Sequence, residues 1–176
     1  MTTLEGSKVR LRRASVEDAE ARFALGRDPE ISRMFGVSQT DVKPMTFESA
    51  KQWAEGHAND PHAWMIEVNG RLIGEIKLHS IHSHDRRASM AIGIYDRTEL
   101  NKGAGTEAIR LLLAHAFNEL GLHRIAVRVL AYNERAIRTY VKCGFKIEGR
   151  ERESAFVDGH WHDDVMMAVL ATEFGG

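Results

Sequence analysis

Residues 88–130 read ASMAIGIYDRTELNKGAGTEAIRLLLAHAFNELGLHRIAVRVL, and this stretch decides the fold. It opens with a strand-like run, ASMAIGIY, passes through a glycine-rich turn and enters a helix with Ile109, Leu112, Leu113, Ala116 and Phe117 on one face. Gly121 is a natural stop for that helix. RIAVRVL follows as a near-continuous apolar run, the pattern of a strand covered on both faces. Strand, helix and strand in that order form a parallel pair joined by a crossover helix.

Upstream, AWMIEV and RLIGEIKL flank Asn69-Gly70, the pair best suited to a type I′ hairpin turn, so an antiparallel pair precedes the crossover unit. VRLRR reads as a first strand. Ser15 and Asp18 then resemble a capping box, ahead of Ala19, Phe23 and Ala24 at helical spacing. Residues 26–44 mix breakers with isolated apolar residues such as Ile31, Met34 and Phe35 and read as short helical pieces. Thr46 opens a second helix carrying Phe47, Ala50 and Trp53, which Asn59-Asp60-Pro61 ends. The polar HSIHSHDRR reads as a loop. Downstream come a helix from Asn133 to Cys143 and two strands around Asp158-Gly159. The order β-α-α-β-β-β-α-β-α-β-β is that of an α/β protein with a mixed sheet.

The 176 residues suit a single domain, 1–176, and 43% hydrophobic with 28% charged residues is ordinary globular usage rather than that of a disordered chain. With 24 Lys plus Arg against 25 Asp plus Glu, the net charge of -1 gives no general attraction to nucleic acid or an anionic membrane. One cysteine, Cys143, no apolar leader in MTTLEGSKVR and no membrane-length apolar run point to a cytoplasmic protein.

Chemistry concentrates at Leu100-Asn101-Lys102-Gly103-Ala104-Gly105-Thr106. Glycines opening a helix leave backbone N–H groups free to converge on a phosphate, although a tight strand-to-helix turn needs glycine in any case. Neither the Gly-Lys-Ser/Thr of a Walker loop nor the third glycine of a dinucleotide fingerprint is present. A second feature lies some thirty residues on. Asn133-Glu134-Arg135-Ala136 begins a helix that carries Tyr140 and leads to Cys143-Gly144-Phe145.

KGAGTEA, then YNERAIRTYVKCGFKIEG, then a closing hairpin through VDGHWHDD and VMMAVL resembles the GNAT superfamily of acetyl-CoA-dependent N-acetyltransferases. The branch is the one containing ribosomal-protein N-terminal acetyltransferases and spermidine N-acetyltransferase. The resemblance implies a mixed, mostly antiparallel sheet of about seven strands with a central splayed parallel pair, flanked by helices. It also implies acetyl-CoA as co-substrate. Amides of Lys102, Gly103, Ala104, Gly105 and Thr106 would hold the pyrophosphate, with Leu100 and Asn101 also among the cofactor-binding residues. The backbone of Ile92, Gly93 and Ile94 would pair with the pantetheine arm, Asn133 and Ala136 would contact it, and Tyr140 would stand near the thioester sulfur. Two positions depart from the motif: Leu100 replaces its leading Gln or Arg, and Asn101 a common glycine.

An ordinary phenol titrates at about 10, so Tyr140 can donate a proton to a leaving thiolate; from pattern alone it also suits the core of an amphipathic helix. A base for the amine is harder to find. Where the family often carries Glu this strand has Ser89, leaving Glu75, His79, Asp85 or a water chain. His79, His82 and His84 spell H-x-x-H-x-H but no further ligand motif joins them, and no metal is expected. His57, His62, His160 and His162 suit the surface or an acceptor cleft. Cys143 suits a buried small hydrophobe. Trp53 and Trp64 suit the core or cleft walls, and Trp161 a subunit contact, so a homodimer stays open.

The expected activity is transfer of acetyl to a primary amine, a protein N-terminus or a small amine, by direct attack in a ternary complex. A non-catalytic acetyl-CoA sensor and a polyamine acetyltransferase are the alternatives. Lys77, His79 and the basic HSIHSHDRR speak against a polycation, while Asp28, Glu30 and Asp41 could still line the mouth for one.

Overall fold

The computed structural model describes residues 2–175. One eight-stranded sheet runs in the order β1-β2-β3-β4-β5-β6-β8-β7. Its strands are β1 (Leu4–Glu5), β2 (Val9–Arg13), β3 (Ala63–Val68), β4 (Arg71–His82), β5 (Arg87–Ile94), β6 (Arg124–Leu130), β7 (Lys146–Val157) and β8 (His160–Leu170). Helices α1 (Asp18–Leu25), α2 (Pro29–Met34) and α3 (Phe47–Ala58) separate β2 from β3, α4 (Ala104–Asn118) crosses from β5 to β6, and α5 (Glu134–Lys142) links β6 to β7. β5 and β6 pair parallel, as their crossover requires, and the other neighbours are antiparallel.

Local chemistry explains the framework. Asn69 (φ 52°) and Gly70 (φ 72°) are both left-handed, as a type I′ turn demands, and bring β3 onto β4. Thr46 and Ser49 cap α3 reciprocally. The face of the sheet under α4 and α5 holds the main core, including Leu11, Trp64, Ile66, Ile76, Leu112, Leu113, Ile125 and Met167. A smaller cluster, Ala14, Met65 and Leu72, sits under α1 and α3. α4 is apolar over its inner face because six of its residues, from Ala104 to Ala116, are buried.

The parallel pair positions the site. β5 and β6 are in register only from Arg87↔Arg124 to Ser89↔Ala126, yet β5 continues to Ile94 and β6 to Leu130. Beyond Ser89 the two strands part. On its other edge β5 stays paired with β4 through Gly74↔Ile94, where a Cβ on Gly74 would stand 2.0 Å from the Gly93 carbonyl oxygen. Only glycine permits that approach.

Several expectations change. The sheet has eight strands, because the short β1 folds back on β2. His79–His82 belongs to β4 rather than to a loop: the register slips between His79 and His82, and a left-handed Ser80 (φ 51°) lets Ile81 pack against the core. Ser15 and Asp18 form half a capping box. Asp18 accepts from Ser15 N at 2.8 Å, but the Ser15 hydroxyl turns to Glu17 and Arg12 claims the Asp18 carboxylate. Phe23 is 45% exposed and meets Phe47 edge-on instead of entering the core. Among the described residues no helix is long and apolar enough to cross a membrane.

Candidate active site

The site begins where β5 ends. Asp96 caps a short 3-10 turn through Thr98 N, and the chain then bends through left-handed Asn101 (φ 61°) and Gly103 (φ 86°) into α4. Among the described residues, no turn or cap hydrogen bond is donated by the backbone N–H groups from Asn101 through Thr106. Gly103, the N-cap of α4, receives no side-chain cap either. Donors without partners, at the positive end of a fifteen-residue helix, form an anion cradle.

This cradle opens into a cavity of about 860 Å³ that fills the gap between β5 and β6. Of the residues expected at the cofactor, Ile92, Ile94, Leu100, Asn101, Gly103, Ala104, Gly105, Thr106, Asn133, Ala136 and Tyr140 line it. Gly93 and Lys102 do not. Gly93 instead lies beneath Tyr95, whose hydroxyl would stand 2.9 Å from a Cβ there. Along β5 successive residues direct their N–H and C=O groups to opposite edges, so those facing the gap are free to pair with an extended amide-bearing arm. The cradle, the free strand edge and the volume together fit CoA.

Asn133 caps α5, its side chain accepting from Ala136 N at 3.2 Å, and its amide reaches Met34 O on α2 at 3.5 Å. Tyr140 projects from α5 into the cavity wall, 7% exposed and packed against Phe145. Burial pushes its phenol up to about 12, with Cys143 adding to the shift, so it keeps its proton. Cys143 is 4% exposed, its sulfur lies 3.7 Å from Thr106 O, and burial pushes its thiol up to about 11. That is the setting of an inert packing residue.

The opposite wall is built from scattered side chains: Met34 and Phe35 around the end of α2, His79 on β4, Ser89 across from it on β5, Arg128 on β6, and Asp164 and Met166 on β8. Asp164 is 5% exposed and accepts 2.6 Å contacts from both Arg128 and Ser154. Burial, with Lys77 adding to it, lowers the His79 pKa, so the neutral imidazole predominates at neutral pH. Sequence reasoning missed Arg128, Asp164 and Met166, which carry no spacing signature. The side chains reach the wall from separate strands, and only the period-two facing of β6 and β8 hinted at them.

Two base candidates fall outside the cavity lining. Asp85 is on the β4–β5 turn with His82 (3.5 Å) and Arg87 (3.4 Å). Glu75 lies beneath α3, where its Oε2 is 2.5 Å from His57 Nε2 and both atoms are buried. Burial alone would lower His57; Glu75 outweighs it and raises the pKa above the ordinary value. Arg22 completes this cluster, its guanidinium 4.1 Å from the Tyr95 ring centre. His57 is therefore a buried partner rather than a cleft residue. Asp28 and Glu30 do not line the cavity: Arg97 holds Asp28 at 2.6 Å and Glu30 at 3.3 Å. Trp64 is core, Trp53 is half-buried, and Trp161 is 60% exposed against Phe156.

A strap crosses the rim. Asp158, at the tip of the β7–β8 hairpin, accepts from Arg33 Nε (2.9 Å) and Gln39 N (2.7 Å), and its own N–H donates to Ser38 Oγ (2.9 Å). The Arg33 guanidinium also stacks 4.2 Å over Tyr132.

The acetyltransferase (GNAT) domain family matches residues 8–146. The chain belongs to this family. YjcK of Bacillus subtilis (strain 168), a probable N-acetyltransferase, is 36% identical over 174 residues, covering 95% of this chain and 96% of its own. YdaF of the same strain, whose name places it among ribosomal N-acetyltransferases, is 35% identical over 108 residues, 61% of this chain and 58% of its own. The solved structure of spermidine N-acetyltransferase from Vibrio cholerae in complex with CoA and spermine superposes with a TM-score of 0.80 at 25% identity, covering 96% of this chain and 98% of that one. The protein is thus an acetyl-CoA-dependent N-acetyltransferase with the mixed α/β fold of its family.

Proposed function

We propose that the protein transfers the acetyl group directly to a primary amine, a protein N-terminus or a small amine, while both substrates are bound. The observation that carries this reading is one cavity in which the anion cradle, Tyr140 and His79 share walls. When bound, acetyl-CoA supplies an activated acyl carbon: a C–N bond forms to the amine as the C–S bond breaks. His79, held neutral, takes the proton the amine must shed. Tyr140, held protonated, supplies one to the departing sulfur. The amides from Asn101 to Thr106 anchor the pyrophosphate, the β5 edge around Ile92–Ile94 aligns the arm, and Leu100, Asn133 and Ala136 border the bound cofactor. With Cys143 buried on an apolar face, no acyl-enzyme is needed.

For the acceptor, an α-amine titrating near about 8 offers far more neutral nucleophile at neutral pH than a side-chain-like amine near about 10.4. Polyamines are the second reading, favoured by the likeness to the spermidine enzyme. Opposing it, Asp28 and Glu30 are already paired with Arg97, and the two acids that line the cavity are paired as well, Glu99 with Arg71 and Asp164 with Arg128. The exposed Phe156–Trp161 pair offers a homodimer contact. A thiol-release screen with acetyl-CoA against N-terminal peptides, small amines, amino acids and polyamines tests the reading; spermidine as the best acceptor by a wide margin would invert the ranking, and no turnover with any amine would refute transfer.

A further inference from the structure

Two side chains hold the cofactor turn from behind, and both answer to the N-terminal hairpin about 95 residues away in sequence. Lys8 donates from Nζ to the carbonyl oxygen of Lys102 at 2.8 Å. Glu107, in the first turn of α4, accepts from Lys8 N (2.9 Å), Val9 N (3.3 Å) and Ser7 Oγ (3.3 Å). Its own N–H donates to Gly103 O at 3.0 Å. The packing is close: a Cβ on Gly6 would stand 2.1 Å from Glu107 Oε1.

The geometry of one peptide plane gives these contacts their meaning. The Lys102–Gly103 bond is trans, so the Lys102 carbonyl and the Gly103 N–H point in opposite directions. Drawing the carbonyl out toward Lys8 aims the Gly103 N–H the other way. In agreement, Gly103 lines the cavity and Lys102 does not. A plane next to a glycine flips readily, and a flipped one would show an incoming phosphate a carbonyl oxygen instead of a donor. Glu107 presents a second hazard, since a carboxylate in the first turn competes with a pyrophosphate for the positive end of the helix. Here it is turned away and absorbed by two amides and a hydroxyl, which hold its pKa below the usual range despite partial burial.

We infer that Lys8 and Glu107 are positioning residues for acetyl-CoA, setting the pyrophosphate turn through the N-terminal hairpin before the ligand arrives. This rests on the reading of residues 100–106 as the pyrophosphate site. Neither residue touches the cofactor in this role; they fix which way the turn's amides face.

The experiment compares kcat/KM with acetyl-CoA against kcat/KM with S-acetylpantetheine, which lacks the pyrophosphate, alongside CoA titration. Glu107→Leu is the decisive variant, because positioning and simple electrostatics predict opposite signs. Removing a negative charge beside an anion site should tighten CoA if charge is all that matters. Positioning requires it to weaken CoA, by about fivefold or more, the worth of one or two charge-assisted hydrogen bonds. Lys8→Met should weaken CoA by a similar factor and Lys8→Arg should restore it, with S-acetylpantetheine turnover unchanged throughout. CoA bound as tightly by Glu107→Leu as by wild type, or an equal fall with both acyl donors, would overturn the inference. Gly105→Glu separates the two levels: if it leaves CoA binding intact, the turn itself was misread, whereas if it abolishes binding while Glu107→Leu is silent, only the bracing fails.

Discussion

The two walls of the cavity are made from different materials. The wall proposed for the cofactor is largely main chain: unpaired amides from Asn101 through Thr106 and the free edge of β5. The opposite wall, proposed for the acceptor, is side chains from α2, β4, β5, β6 and β8. A main-chain site constrains sequence only where the backbone must bend or lie open, at Gly103, Gly105 and the capping Asn133. A side-chain site can be rebuilt residue by residue without disturbing the fold.

The largest expected effect tests the wall proposed for the cofactor. Gly105 has open space around it and no left-handed φ, so Gly105→Glu should fold while placing a carboxylate in the cradle. CoA affinity should fall by on the order of 100-fold or more, since like-charge juxtaposition costs several kcal/mol. Calorimetric titration beside a thermal melt checks it; retained affinity would mean the amides do not form the anion site.

Next comes the junction of the walls. Tyr140→Phe should lower kcat by about 100-fold, the usual worth of a positioned proton donor, with the KM for acetyl-CoA nearly unchanged. A parallel rise in KM would make Tyr140 a packing residue of α5 instead.

His79 probes the acceptor wall. A base works in its neutral form, and the pKa of His79 is lowered, so activity should be fully developed at neutral pH. The acid limb of kcat/KM should then lie below the ordinary histidine value of about 6.5. His79→Gln should remove that limb and cost about 10- to 100-fold. A limb that persists in the variant would return the role to a water chain.

The smallest effect concerns the rim. Asp28 is held at about 2, chiefly by its hydrogen bond from Arg97, so its contribution to stability is complete above the ordinary carboxylate range and disappears as the pH falls toward 2. Partial exposure limits Asp28→Asn to under about 1 kcal/mol in denaturant titrations at pH 7. A gain in spermidine turnover on freeing this acid with Arg97→Ala would blur the contrast between the walls.

Legibility followed the same division. The crossover unit, the Asn69-Gly70 hairpin, the glycine turn and Asn133 announced themselves because periodicity and backbone conformation are local properties of sequence. The pairing of Glu75 with His57, the diversion of Asp28 to Arg97 and the arrival of Arg128 and Asp164 at the cavity depend on which strands the sheet brings together. His79 shows the boundary well: its residue type suggested chemistry, its neighbourhood suggested a loop, and only the pairing of β4 with β5, unbroken from Gly74 to His79, places it across from Ser89. Lys8 and Glu107 gave no signal, since an exposed lysine and a first-turn glutamate are the commonest of surface residues.

The parting of β5 from β6 also has a mechanical meaning. Three residue pairs, Arg87–Ser89 against Arg124–Ala126, form the seam between a five-strand panel and a three-strand panel. A short seam at one end acts as a hinge, and the panels beyond it are spanned by the α4 connection and the Asp158 strap. A ligand lying in the slot as proposed would bond along a free edge as a temporary ninth strand and stiffen the joint. Amide hydrogen exchange should therefore slow on CoA binding along β5 from Met90 to Ile94, while the Arg87–Ser89 rungs, already paired on both sides, change least.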